Sequence, residues 1–144
     1  MPYFEKFLKV RKSLLPGAGK GLFTTIEIPK GSRIVEYKGK LRKWKEVKHL
    51  DGINGYLMLI NRNEAIDALP AKNTFGRYAN DARGLSRFAG LRNNAEYVVD
   101  GKRCFIEATR HIRAGEEIFV FYGEAYWRLI KKLKRLTKVI PQKK

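Results

Sequence analysis

Short apolar runs alternate with turn-forming clusters along most of this chain. FLKV, GLFTT, RIVEY, YLMLI, EAIDA, AEYVV, RCFIEAT and EIFVFY each read as a β-strand. Between them stand PGAGKG, IPKGS, KNTFG, VDGK and RAGEE, whose Gly, Pro, Asn and Asp residues turn the backbone. Strands this short, joined by turns rather than helical crossovers, predict several small sheets and not a βαβ array. Two segments carry a helical period instead. Leu41, Trp44, Val47 and Leu50 recur at steps of three and predict a helix over Leu41 to Leu50. Tyr126, Leu129, Ile130, Leu133 and Leu136 form an apolar stripe and predict a second helix over about 124–138, with Pro141 beyond it as a stop. No internal repeat or low-complexity linker is visible.

The 144 residues and 44% hydrophobic content suit one domain with a modest core, taken as residues 1–144. No apolar run is long enough to span a bilayer, so no membrane partner is expected. The opening MPYFEKFLKVRKS lacks the apolar stretch of a secretion signal. The expected location is therefore intracellular, cytoplasmic in a bacterium or nuclear in a eukaryote. A lone Cys104 leaves no internal disulfide and no cysteine zinc cluster, and His49 and His111 show no metal-ligand spacing. No metal is expected, and neither a Cys–His pair nor a Ser-His-Asp triad finds support.

Charge changes this picture most. Thirty-one Lys and Arg face 14 Asp and Glu, a formal charge of +17 that favours polyanions or an acidic patch on a partner. Eight Lys or Arg and one Glu lie between Glu124 and Lys144, mostly opposite the apolar stripe. The stripe can finish the core while the basic face stays solvated, or the helix can cover a site and guide an acidic or nucleic-acid partner. Trp44 and the stripe can pack inward or against a second copy, so monomer and homodimer both stay open.

Several polar segments fall where a plain β core would not need them. Glycines at 17, 19 and 21 let the backbone of PGAGKGLF approach a ligand closely. This is no phosphate loop, because the GxxxxGK[ST] spacing is missing and a strand follows instead of a helix, and a plain tight turn is the simpler reading of it. Tyr37 in YKG reads as a core or hydrogen-bonded tyrosine. In FGRYANDARG, Arg77, Asn80 and Asp81 stand beside Phe75 and Tyr78, with a surface loop as the plainer reading, and Asn93-Asn94 forms a later polar pair that an ordinary turn also explains. The apolar run EIFVF ends on Tyr122-Gly123, a place to hold a phenol at the end of a strand.

In this order the pieces resemble the SET-domain protein-lysine methyltransferases. GKG is similar to that family's early GxG, VEYKG to its EYxG, and YLMLINRNEAIDA to its tyrosine-bearing strand and DA turn. GRYAND resembles its RFINH, NNAEY its later asparagine, and AGEEIFVFYG its GEELxxDYG ending. The resemblance covers roughly Lys9 to Tyr126. Asn80-Asp81-Ala82-Arg83 departs from the usual NHSC, and Phe121 replaces the usual Asp. Both departures resemble the PR-domain branch, where activity is not universal, and zinc-binding flanks are absent from the chain as given.

The resemblance implies a mainly β SET fold, with small sheets around a threaded, knot-like C-terminal segment and a C-terminal helix. It implies S-adenosyl-L-methionine as cofactor, a protein lysine as target and no metal. Tyr122 would orient the amine, with a strand-capping tyrosine as the plainer role. Tyr56 would line the lysine channel or simply pack the core. The backbones of Lys20, Gly21 and Leu22 would hold the methionine end of the cofactor. Arg77, Tyr78, Asn80 and Asp81 would hold its amino and adenine groups, largely through backbone atoms. Trp127 would stack on adenine, close the channel or join the core. Val120 stands where the family carries a Phe or Tyr that limits the number of methyls, and its small size implies more than one. The target would be a histone-like or other nucleic-acid-associated protein. A second reading is a catalytically inactive SET-like or PR-like basic adaptor, and a third is a plain nucleic-acid binder.

Overall fold

The computed structural model describes residues 4–50, 56–82 and 90–122. Nine strands form three antiparallel sheets of three strands each among these residues. In the first, β1 (Leu8–Lys12) and β9 (Glu117–Ile118) flank β2 (Lys20–Thr24). In the second, β3 (Arg33–Glu36) and β7 (Ala95–Asp100) flank β8 (Arg103–Ala108). In the third, β4 (Lys40–Lys43) and β5 (Leu57–Leu59) flank β6 (Glu64–Asp67). Every apolar run read as a strand contributes to one of the nine.

The expected helix over Leu41 to Leu50 is corrected. Lys40–Lys43 is strand β4, followed by the single turn α1 (Trp44–Val47) and a 3-10 turn at Lys48–Leu50. Lys40 to Lys43 pair one by one with Asp67 to Glu64, and the Trp44 N–H donates to the Asn63 carbonyl at 2.7 Å. That ladder outweighs the step-of-three pattern. Of the four stripe residues only Val47 is fully buried, and Leu41 is exposed. The second predicted helix, with Trp127, lies outside the described residues.

The main core joins the first two sheets. Leu8, Leu22, Ile28, Ile34, Ile106 and Ile118 are buried in it, with Ala79, Ala95 and Val120 between them. Tyr37, Tyr56, Ile60, Ile66, Ala68 and Cys104 form a second cluster beneath the third sheet. Burying residues of this size contributes roughly 1.5–3 kcal/mol each.

Threading is visible in the hydrogen bonds around Phe119 and Val120. The Val120 N–H donates to the Asn80 carbonyl at 2.7 Å. On the opposite side, the N–H groups of Asn94 and Ala95 both donate to the Phe119 carbonyl, at 2.9 and 3.0 Å. Parallel bridges pair Asn80 with Phe119 and Ala95 with Val120. The segment after β9 therefore runs between the GRYAND and NNAEY stretches. These buried backbone groups find partners there, as a dry interior requires.

Candidate active site

The site begins where the glycine loop enters β2. Gly17 and Gly19 have φ of 76° and 72°, a left-handed geometry that glycine adopts without steric cost. The Ser13 N–H closes this loop on the Gly19 carbonyl at 2.8 Å. Behind it lies the carboxylate of Glu117, 2% exposed. Ser13 Oγ donates to Glu117 Oε2 at 2.6 Å, and the Leu14 N–H to Oε1 at 2.8 Å. Gly21 packs directly on this carboxylate, and a Cβ at position 21 would collide with Oε2 and Cδ. The third glycine of the loop is thus required by packing.

Asn80 ties the second polar segment to the same place. Its Nδ2 donates to the Lys20 carbonyl at 3.0 Å and reaches Glu117 Oε2 at 3.4 Å. The 3-10 turn Gly76–Tyr78 brings Asn80 there. Gly76 permits that turn because a Cβ would meet the Glu36 carbonyl at 2.8 Å. Lys20, Gly21, Leu22, Asn80 and the strand before Tyr122 therefore share one locus, as the order of motifs along the chain implies.

Tyr122 is held from three directions. Its hydroxyl donates to the Ala79 carbonyl at 2.6 Å, one residue from Asn80. Its N–H donates to Asp81 Oδ2 at 2.9 Å. Its ring stacks on Tyr97 with centroids 6.4 Å apart, and Tyr97 meets Tyr37 edge-on at 5.7 Å. Asp81 is in turn steadied by Asn93, whose Nδ2 donates to Oδ1 at 2.9 Å and whose Oδ1 accepts the Ala82 N–H at 2.8 Å. The departure at Asp81 thus serves the fold, since its carboxylate seats the backbone of Tyr122.

Arg77 and Tyr56 are coupled to each other and turned toward the second core cluster. The Arg77 guanidinium donates to the carbonyls of Ala68 and Leu69, at 3.0 and 2.8 Å. It lies over the Tyr56 ring, 3.9 Å from the centroid. The Tyr56 carbonyl accepts from the Tyr37 hydroxyl at 2.7 Å. Burial pushes the Tyr56 hydroxyl above its ordinary 10.0, against the opposing effect of Arg77 beside it. For an acid raised in this way, the fold's contribution is complete below the unfolded value and is lost as pH rises through the folded one. Tyr56→Phe is expected to remove a step lying above the ordinary tyrosine range from an alkaline tyrosinate absorbance titration and to lessen the alkaline fall in stability. A lost step at the ordinary tyrosine value would place Tyr56 in water.

The Tyr78 hydroxyl donates to the Lys72 carbonyl at 3.0 Å. Val120 is fully buried in the main core, with the partly buried Tyr122 packed against the same cluster. The roles of Glu117, Ser13 and Asn94 were not foreseen. Asn94 acts as a side-chain strand partner: Nδ2 donates to the Glu117 carbonyl at 3.0 Å, and Oδ1 accepts the Phe119 N–H at 2.9 Å. Glu117 and Asn94 stand in the stretches that resemble GEELxxDYG and the family's later asparagine, and Ser13 leaves no signal.

The SET domain family matches residues 19–123, from the glycine loop to the residue after Tyr122. This chain belongs to the SET domain family. Its SET domain is similar to Histone-lysine N-methyltransferase set-17 of Caenorhabditis elegans, 29% identical over 82% of this chain and 41% of that protein. N-lysine methyltransferase KMT5A-A of Danio rerio is 25% identical over 76% of this chain and 34% of its own length. Histone-lysine N-methyltransferase EZH2 of Chaetomium thermophilum is 30% identical over 89% of this chain and 9% of its own. The chain thus spans under half the length of each of these relatives. Two solved ctPRC2 structures share the fold. One ctPRC2 complex superposes with a TM-score of 0.63 at 25% identity, over 81% of this chain and 14% of that one. An apo ctPRC2 superposes with 0.64 at 28% identity, over 87% and 16%. The mainly β SET architecture expected from the sequence is the one observed.

Proposed function

We propose that this SET domain transfers a methyl group from S-adenosylmethionine to a lysine side chain of a protein. The observation that carries the reading is the meeting of Lys20, Asn80 and the Tyr122 hydroxyl, joined through Glu117 and Ala79. The oxygen-rich donor set suits a cationic ligand: the carbonyls of Lys20 and Ala79 and a phenol stand together, while the Arg77 guanidinium is directed to Ala68 and Leu69. When bound, the cofactor supplies an electrophilic methyl on a sulfonium. Lys20, Gly21 and Leu22 would hold its methionine end. The backbone from Arg77 to Asp81 would hold the rest, and Trp127 is proposed to close over it.

Tyr122 would do the positioning. A phenol that gives its hydrogen to a carbonyl presents oxygen lone pairs to an incoming amine. Free lysine has a pKa of about 10.4, so the attacking neutral form is scarce at neutral pH. Exclusion of water by the tyrosine cluster would favour that neutral form. Alignment of the amine by a phenol fixed at three points supplies rate through orientation. Tyr56 would form a further wall of the lysine channel.

The test is calorimetry of the chain with S-adenosylmethionine, followed by radiolabelled methyl transfer to a mixture of basic proteins. Binding and labelling of lysine support the reading; binding without transfer would favour a basic adaptor. A histone-like or other nucleic-acid-associated target is proposed on the names of the relatives. The +17 charge opposes a very basic peptide held over a broad area, so such a target would dock through acidic residues or on nucleic acid. An intracellular setting, nuclear in a eukaryote, follows from such a target. Among the described residues no helix is long and apolar enough to cross a membrane.

Val120 gives a separate expectation. With a small side chain at this buried position, the product should carry more than one methyl at saturating cofactor. Mass spectrometry of the product checks it, and a strictly monomethylated lysine would overturn it.

A further inference from the structure

A groove of about 590 Å³ opens where β4 runs into α1, lined by Lys43, Trp44, Lys45, Lys48, Arg62 and Glu64 among others. Its walls are fixed. Lys43 pairs with Glu64 across the β4–β6 ladder, and the Trp44 N–H donates to the Asn63 carbonyl at 2.7 Å. The turn beneath is closed by Asn61, whose Oδ1 accepts the Asn63 N–H at 2.8 Å and whose Nδ2 donates to Glu64 Oε1 at 3.0 Å. The carboxylate of Glu64 is already matched by Lys102 from outside the lining, 3.1 Å away.

Lys43, Lys45, Lys48 and Arg62 are exposed, and none has a carboxylate partner among the described residues. Four cations with no carboxylate partner among the described residues, gathered in one groove, raise the local concentration of anions. Half-buried Trp44 stands among them, so the lining offers an aromatic face as well as charge. We propose that this groove binds single-stranded nucleic acid, its cations on successive phosphates and Trp44 stacked on a base. An acidic polypeptide would satisfy the cations but leave the tryptophan without a role. Every base has a π-face to offer it.

The groove is separate from the Tyr122 locus. It lies at the Glu64 end of β6, whereas Arg77 attaches just beyond the other end, at Ala68 and Leu69. The proposal therefore does not depend on methyl transfer. If both hold, the strand would keep the SET domain beside proteins that coat the same nucleic acid.

The test titrates the full chain with dye-labelled oligothymidylate about 12 nucleotides long, following the anisotropy of the dye at increasing salt. Four phosphate contacts contribute about 3 to the slope of log affinity against log salt. The combined variant Lys43→Gln, Lys45→Gln, Lys48→Gln, Arg62→Gln should lose about that much of the slope. Trp44→Leu should keep the slope and weaken binding about tenfold. The four cations are solvent-exposed, so their removal leaves the fold intact, which circular dichroism checks. Basic residues between Glu124 and Lys144 are common to every variant, so the differences isolate the groove. Absence of binding, or a slope unaltered in the combined variant, would overturn the proposal. So would a Trp44→Leu variant of full affinity, or displacement of the oligonucleotide by polyglutamate at equal charge concentration.

Discussion

Tyr122→Phe should lower methyl transfer by about a hundredfold or more while leaving S-adenosylmethionine binding nearly unchanged. The expected size is that of removing one preorganised hydrogen-bonding group from a reacting centre. The variant should fold. Its ring keeps the stack on Tyr97, and its backbone N–H keeps Asp81 Oδ2 at 2.9 Å. What disappears is the 2.6 Å hydrogen bond to the Ala79 carbonyl, at about 1 kcal/mol of stability. The effect should fall on kcat more than on KM, because orientation of the amine matters most in the transition state. Single-turnover transfer with labelled cofactor measures it. A variant of full activity would remove the phenol from the chemistry. A wild-type chain that binds cofactor and never transfers would make the adaptor the correct reading.

The two sequence departures that favour an adaptor lose force once their surroundings are considered. Asp81 is 4% exposed and both carboxylate oxygens are engaged, one by the Tyr122 N–H and one by Asn93. An acid at this position thus tightens the seat of Tyr122. Phe121, in place of an Asp, is 42% exposed and points its apolar ring outward. Nothing in the locus of Lys20, Asn80 and Tyr122 uses that side chain. Neither change removes a group on which the proposed positioning depends.

Much of this was legible in the sequence because period-two patterning and turn chemistry are local. Val98 and Val99, or Ile34 and Val35, announce strands with no knowledge of what they pair with. The stretch after Gly39 misleads for the same reason. Leu41, Trp44, Val47 and Leu50 fit a helix locally, and only the distant partner Glu64–Asp67 pulls the first part into a ladder. The phenol locus was reached through ordered motifs, and hydrophobic pattern alone would not have found it. Glu117 was opaque. A glutamate pair after Ala114-Gly115 reads as a solvated turn, and its burial depends on Ser13, 104 residues earlier. Long-range satisfaction of one carboxylate leaves almost no local trace.

Glu117→Ala is expected to be strongly destabilising, by about 3 kcal/mol. Three donors converge on its carboxylate: Ser13 Oγ, the Leu14 N–H and Asn80 Nδ2. Truncation would take this acceptor from Ser13 Oγ and the Leu14 N–H, leaving the Lys20 carbonyl as the remaining tie of Asn80 to the glycine loop. Glu117→Gln should cost less, since it keeps the shape and one acceptor oxygen. Gly21→Ala should be severe in the wild type, because the new methyl meets the carboxylate. In the Glu117→Ala background that obstacle is gone, and the remaining neighbour, Ser13 Cβ at 3.1 Å, need yield only slightly. The two losses should therefore fall short of additivity by about 1–3 kcal/mol in a denaturant-melt double-mutant cycle. Strict additivity would mean that Gly21 and Glu117 do not touch, and the packing that binds the glycine loop to the Tyr122 strand would need another cause.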